Sequence, residues 1–245
     1  MSSDSHRAPV SAGESHFWKN VRVVVHLVGI CGAGKSTLCK RLADRVVRHG
    51  GKVIGTIDYD PHTPDHQRTN ERAFSRELDR RNIEANFLDP VVHRDIVAHT
   101  MTMLGSWMAS DANVVLVDRW YESYDRLPAE HIACIEDTIR GSGFQMRHFF
   151  LVVGKDSDDR ESNDADAIRE RLLHAKGTRP ASWWESGPDT LEEFVRGEQQ
   201  CQQDYRAFVE RVAFPSATMS TAEMNWKKYE DAIVDTLRSF RSLGA

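Results

Sequence analysis

Apolar positions in this chain fall into short runs separated by longer amphipathic stretches. "VRVVVHLVG", residues 21–29, is β-branched and nearly continuous in apolar residues, the pattern of a strand buried on both faces. A helix is predicted over residues 35–48, where Leu38, Leu42 and Val46 recur at four-residue spacing and "HGG" ends the pattern. "KVIGTID" predicts a second strand closing on Asp58, and the polar stretch 63–82 is expected to be helical in part. A long helix is predicted over 91–110, a third strand in "NVVLVD" (113–118), a helix over 128–140 and a fourth strand in "MRHFFLVV". A helix over 191–212, a short strand near 212–214 and a C-terminal helix over 222–242 complete the pattern. Strands that alternate with helices build βαβ units, so the expected class is α/β with a parallel sheet.

Two stretches fall outside this alternation. Residues 1–19 are polar and lack an apolar signal core, and they read as a flexible tail ahead of one domain over 20–245. Residues 155–190 are charged and poor in aliphatics, and they read as a mobile insertion.

Composition narrows the function classes. A chain of 245 residues with 40% hydrophobic and 28% charged residues is ordinary for a soluble globular protein. The net charge of −5, with no basic stripe, argues against a nucleic-acid partner. Cys31, Cys39, Cys134 and Cys201 are scattered, without metal or disulfide spacing, so a reducing, cytoplasmic setting is expected. No run approaches 18 apolar residues, so no transmembrane helix is expected. A homodimer is left open.

The strongest chemical signal is "GICGAGKST", which fits G-x-x-x-x-G-K-[ST] with Gly29, Gly34, Lys35 and Ser36. Glycines let backbone N–H groups approach phosphate oxygens, and the following helix points its positive end at the same anion. This P-loop is expected to bind ATP through Gly29, Cys31, Gly32, Ala33, Gly34, Lys35, Ser36 and Thr37. Lys35 would reach the β- and γ-phosphates, and Ser36 would ligand Mg²⁺.

A second site lies in "VVLVDRWYES". Asp118 ends a buried strand, where a carboxylate can hold Mg²⁺. Its neighbour is Arg119, where a hydrolase would be expected to carry a second acid. Arginine stays protonated and cannot serve as a base, but it clamps phosphate oxygens, so transfer to a bound small-molecule acceptor is favoured over hydrolysis.

"DRWYES" resembles the D-R-Y-x-x-S signature of thymidylate kinases, with Trp120 in place of Tyr and Ser123 in step, and the P-loop is similar to theirs. "HRDIVAHTM" is loosely similar to the acceptor-side helix of that family, which implies Arg94, Trp120 and Ser123 at the acceptor. The resemblance implies a P-loop NTPase fold with a five-stranded parallel sheet, a mobile lid, and transfer of the ATP γ-phosphoryl group to a deoxynucleoside monophosphate such as dTMP. The chain departs from the family after the second strand, where "IDYDPHTPDHQR" replaces an R-E-P-G-type loop. Asp58 and Asp60 stand where deoxynucleoside kinases carry an acidic base. An acid there could deprotonate a hydroxyl acceptor, so a nucleoside, a modified base, an adenylylsulfate or another small hydroxyl compound is the alternative acceptor. A switch or simple ATPase is the second alternative.

Within the charged insertion, Arg169, Arg171 and Arg179 are candidates for a lid that closes positive charge onto the phosphoryl group. His62 and His66 sit at i, i+4, but without a third ligand beside them they do not make a zinc site.

Overall fold

The apolar run after Val21 becomes the central strand of a parallel sheet. The structure is a computed structural model that describes residues 12–55, 90–118, 128–154, 160–176 and 190–241. Among these, the elements in order are α1 (Ala12–Asn20), β1 (Val23–Val28), α2 (Lys35–Arg48), β2 (Val53–Gly55), α3 (Pro90–Ala109) and β3 (Val114–Val117). They are followed by α4 (Ala129–Gly141), β4 (Gln145–Val152), α5 (Arg160–Lys176), α6 (Leu191–Arg211), β5 (Ser216–Ser220) and α7 (Trp226–Arg241). The sheet order is β2-β3-β1-β4-β5, and every pairing is parallel. The α/β class, the five parallel strands and their flanking helices agree with expectation.

All six residues of β1 are buried, because the strand has a helix layer on each face. Val23, Val25 and Leu27 join Leu38, Leu42 and Val46 of α2 and Ile233 and Leu237 of α7. Val24 and Val28 join Leu104 and Trp107 of α3, Ile135 and Ile139 of α4, and Phe208 of α6. Each aliphatic side chain buried this way contributes about 1.5–3 kcal/mol, which makes β1 a rigid base for the loop that follows it. Register then sets the chemistry. His26 pairs with Val117, so Asp118 emerges at the same sheet edge as Gly29, beside the central strand.

Three expectations are corrected here. The expected tail is helical from Ala12, because Phe17 and Trp18 are buried in the core and Glu14 pairs with Arg45. The last strand runs over Ser216–Ser220 rather than near 212–214. Phe214 is instead a buried core residue before Pro215, and the edge strand has a polar, half-exposed sequence without an apolar run. The stretch read as a mobile insertion contains α5, which buries Ile168 and Leu172 in the core. Among the described residues, no helix is long and apolar enough to cross a membrane.

One polar chain interrupts the core. His26 Nδ1 lies 3.1 Å from His148 Nδ1 on the neighbouring strand, and both side chains are buried. His148 Nε2 is 3.8 Å from Glu136 Oε1, and Glu136 accepts the backbone N–H of Ala213 at 3.2 Å. Burial pushes the His26 pKa well down, and the charges of His148 and Lys35 add to the effect. Burial also lowers His148, against the opposing pull of Glu136.

Candidate phosphate-binding site

β1 runs out at Val28, and the chain turns through Gly29 to Gly34 into α2. The backbone needs glycine at three of these positions; at Gly29, φ 153°, a Cβ would lie 2.6 Å from the Leu151 carbonyl oxygen. Gly32 has φ 79°, and a Cβ there would lie 3.3 Å from the Arg171 Cβ. Gly34 has φ 93°, and the Trp226 ring fills the space that its Cβ would take. Ile30 and Ala33 are buried, so their apolar side chains anchor the loop to the core. Helix α2 starts with no side-chain cap and no acid in its first turn. Its terminal N–H groups and its dipole therefore favour an incoming anion. Lys35 Nζ donates to Gly29 O at 2.6 Å and Ile30 O at 2.9 Å. Ser36 and Thr37 are exposed in the first turn, and Cys31 is half-buried.

The end of β3 completes this edge. Asp118 is buried, and its Oδ2 accepts the Ser36 hydroxyl. Its Oδ1 is buried with no hydrogen-bond partner among the described residues. A hydroxyl and a carboxylate with a spare oxygen form an all-oxygen donor set that suits Mg²⁺, which is usually held by one or two carboxylates plus phosphate oxygens and water. No cluster of three or more His, Cys, Asp or Glu residues able to hold a metal occurs among the described residues.

The arginines of α5 differ from the expected lid. Arg169 pairs with Glu192 at 2.9 Å and also with Asp166, so its charge is spent on neighbouring carboxylates. Arg171 is buried against the P-loop rather than raised above it. Its guanidinium donates to Thr221 O and lies 5.6 Å from the centre of the Trp226 ring, and burial lowers its pKa. Helical packing explains the correction. Ile168 and Leu172 flank Arg171 on the buried side and bind α5 to the core.

Arg94 stands exposed on α3. Asp58, Asp60, Arg119, Trp120, Ser123 and Arg179 lie outside the described residues, as do His62 and His66.

Sequence reasoning missed Trp226 and Glu198. Glu198 on α6 accepts the Cys31 N–H through Oε2 at 2.9 Å. No motif marks either residue, and each reaches the loop only through packing between distant elements.

The loop, the uncapped helix and the acid on the adjacent strand belong together as one device. This is a P-loop fold. It is similar to YorR protein from Bacillus subtilis in complex with phosphorylated GDP, with TM-score 0.50 and 13% identity over 89% of this chain and 98% of that one. It is also similar to shikimate kinase from Acinetobacter baumannii in complex with shikimate, with TM-score 0.48 and 14% identity over 92% of this chain and 97% of that one. No protein-family model matches the chain, and no curated protein sequence matches it.

Proposed function

We propose that this chain is an ATP-dependent phosphotransferase that passes the γ-phosphoryl group of ATP to a small-molecule acceptor. The observation that carries the reading is the Ser36–Asp118 pair, with its spare buried carboxylate oxygen, at the mouth of an uncapped helix behind a glycine loop. The loop amides orient the phosphates, and Lys35 exchanges its contacts with Gly29 O and Ile30 O for phosphate oxygens. Ser36 and Asp118 would hold Mg²⁺, which supplies charge neutralisation at the phosphates. Trp226, packed on Gly34 and half-exposed, offers an aromatic face beside the loop, suited to a nucleobase.

For the acceptor, we favour a hydroxyl compound over dTMP. Asp58 and Asp60 follow the second strand in the sequence, and a hydroxyl needs a base that a monophosphate does not. The "DRWYES" motif is the feature that favours a monophosphate, with Arg119 as its clamp and Arg94, Trp120 and Ser123 around it. The test is labelled ATP offered with nucleosides, nucleoside monophosphates and small hydroxyl compounds. Label transfer to a hydroxyl, lost by about 10²–10⁴-fold in Asp58→Asn or Asp60→Asn, supports the main reading. Transfer to a monophosphate that is insensitive to both substitutions supports the second. Rapid ATP hydrolysis with no acceptor requirement overturns both.

A further inference from the structure

We infer that Glu198 is a resident anion of the phosphate cradle, which competes with the phosphates of the nucleotide and returns to the loop when they leave. The inference rests on the phosphate-binding reading above. The P-loop amide of Cys31 does not point at an open site, because it donates to the Glu198 carboxylate at 2.9 Å. Lys35 binds the carbonyls of Gly29 and Ile30 in the same turn. A carboxylate on the N–H side and an ammonium on the carbonyl side thus satisfy the loop from within.

This carboxylate does not come from a freely moving surface side chain. Gln202 lies one helical turn further on, on the same face of α6 as Glu198. Its side chain accepts Val153 N–H at 2.8 Å and donates to Val153 O at 3.2 Å, extending the end of β4 like an added strand residue. That grip fixes α6 against the strand next to β1 and carries Glu198 to the loop. Helix α2 keeps acids out of its own first turn, so the negative charge at this loop is brought in by a different element.

Phosphate oxygens approaching the turn meet a fixed negative charge, and the Cys31 N–H can serve only one acceptor well. Binding must therefore give up a charge-assisted hydrogen bond, and departure recovers it. Glu198 lowers affinity for the phosphate tail, whatever base is attached, and so eases product release.

Equilibrium binding to the full chain, with Mg²⁺ present, tests the idea. Glu198→Gln keeps an acceptor oxygen near Cys31 but removes the charge. It should bind ATP and pyrophosphate about tenfold more tightly than the wild type, the difference between a charged and a neutral hydrogen bond. Adenosine, which has no phosphate, should bind both proteins equally. Glu198→Ala should also tighten ATP, and melting temperatures show whether either variant has lost its fold. Unchanged or weaker ATP binding in a folded Glu198→Gln protein overturns the inference and makes Glu198 a support for loop shape. A wild type that binds neither ATP nor pyrophosphate overturns the underlying phosphate-site reading as well.

Discussion

The two ends of helix α2 are built on opposite rules. Toward the C-terminal end, Arg41 and Arg45 are held by carboxylates of other helices. Arg45 pairs with both oxygens of Glu14, with Asp231 at 2.6 Å and with Glu230 at 3.1 Å, and Arg41 reaches Glu230 at 2.9 Å. Burial alone would raise the Glu14 carboxyl. The hydrogen bonds from Arg45 and Trp18, with the Arg45 charge, bring it instead to about 2. At the N-terminal end there is no cap and no acid in the first turn, and a glycine holds the entry at positive φ. One end spends its polar groups on joining α1, α2 and α7. The other has neither a side-chain cap nor an acid in its first turn. The paired end ties three helices together through side chains, whereas the other end leaves its first turn uncapped.

The largest expected effect breaks the open end. Lys35→Ala should lose about 10²–10³-fold in turnover, because it removes charge stabilisation rather than packing. Its melting temperature should stay near that of the wild type. Steady-state rates and thermal melts on the same preparation check this, and a folded, fully active variant would remove the phosphate-cradle assignment.

Next comes the paired end. Arg45→Met should cost about 2–3 kcal/mol of stability, since it removes the main partner of Glu14 in a mostly buried setting, while Arg41 still holds Glu230. Arg238, 3.4 Å from Glu14, softens that loss. Turnover per folded molecule should not change. Denaturant unfolding gives the first number and active-site-normalised rates the second; a large loss of turnover without unfolding would mean that the two ends are not separate.

The buried histidines sit between these extremes, in the strands that carry the loop. Both have folded pKa values below the ordinary 6.5, so the unfolded chain binds more protons. Their contribution is present above pH 6.5 and is lost as pH falls below it, by at most about 1.4 kcal/mol per pH unit for each histidine. His148→Gln should flatten the stability profile between pH 7 and 5.5, as read by chemical unfolding at each pH. A profile with an unchanged slope would show that His148 does not carry this sensitivity.

The smallest effect compares two helix starts. Helix α6 is capped by Thr190, whose hydroxyl accepts Glu193 N–H at 3.2 Å while the Glu193 side chain accepts Thr190 N–H at 3.2 Å. Thr190→Ala should cost about 1 kcal/mol and leave turnover intact. A kinetic defect larger than the stability defect would tie this helix start to the site as α2 is tied.

Much of this was legible in the residues alone. Alternation of apolar runs and four-residue spacing located β1, α2, α3, β3, α4, β4 and α6 to within a few residues, because burial on both faces leaves a dense apolar signature. The P-loop was legible because its glycines answer to local backbone geometry. Ser36 and Asp118 were singled out from motif and strand end as candidate Mg²⁺ ligands, and the structure brings the two side chains together in one hydrogen bond. α1 escaped notice because its polar residues outnumber Phe17 and Trp18, and α5 because two buried residues, Ile168 and Leu172, hold a helix that is otherwise charged. By itself, then, the sequence determined the parallel α/β layout, the glycine-rich loop and the acid beside it, since each follows from short-range periodicity or local backbone demands. Only the tertiary structure decided that Arg169 is an ion-pair partner, that Arg171 and Trp226 wall the loop, and that Glu198 occupies a loop amide. Those roles depend on which helix faces pack together, across 23 residues of chain for Arg169 and Glu192 and 167 for Cys31 and Glu198, and a local pattern carries no record of that.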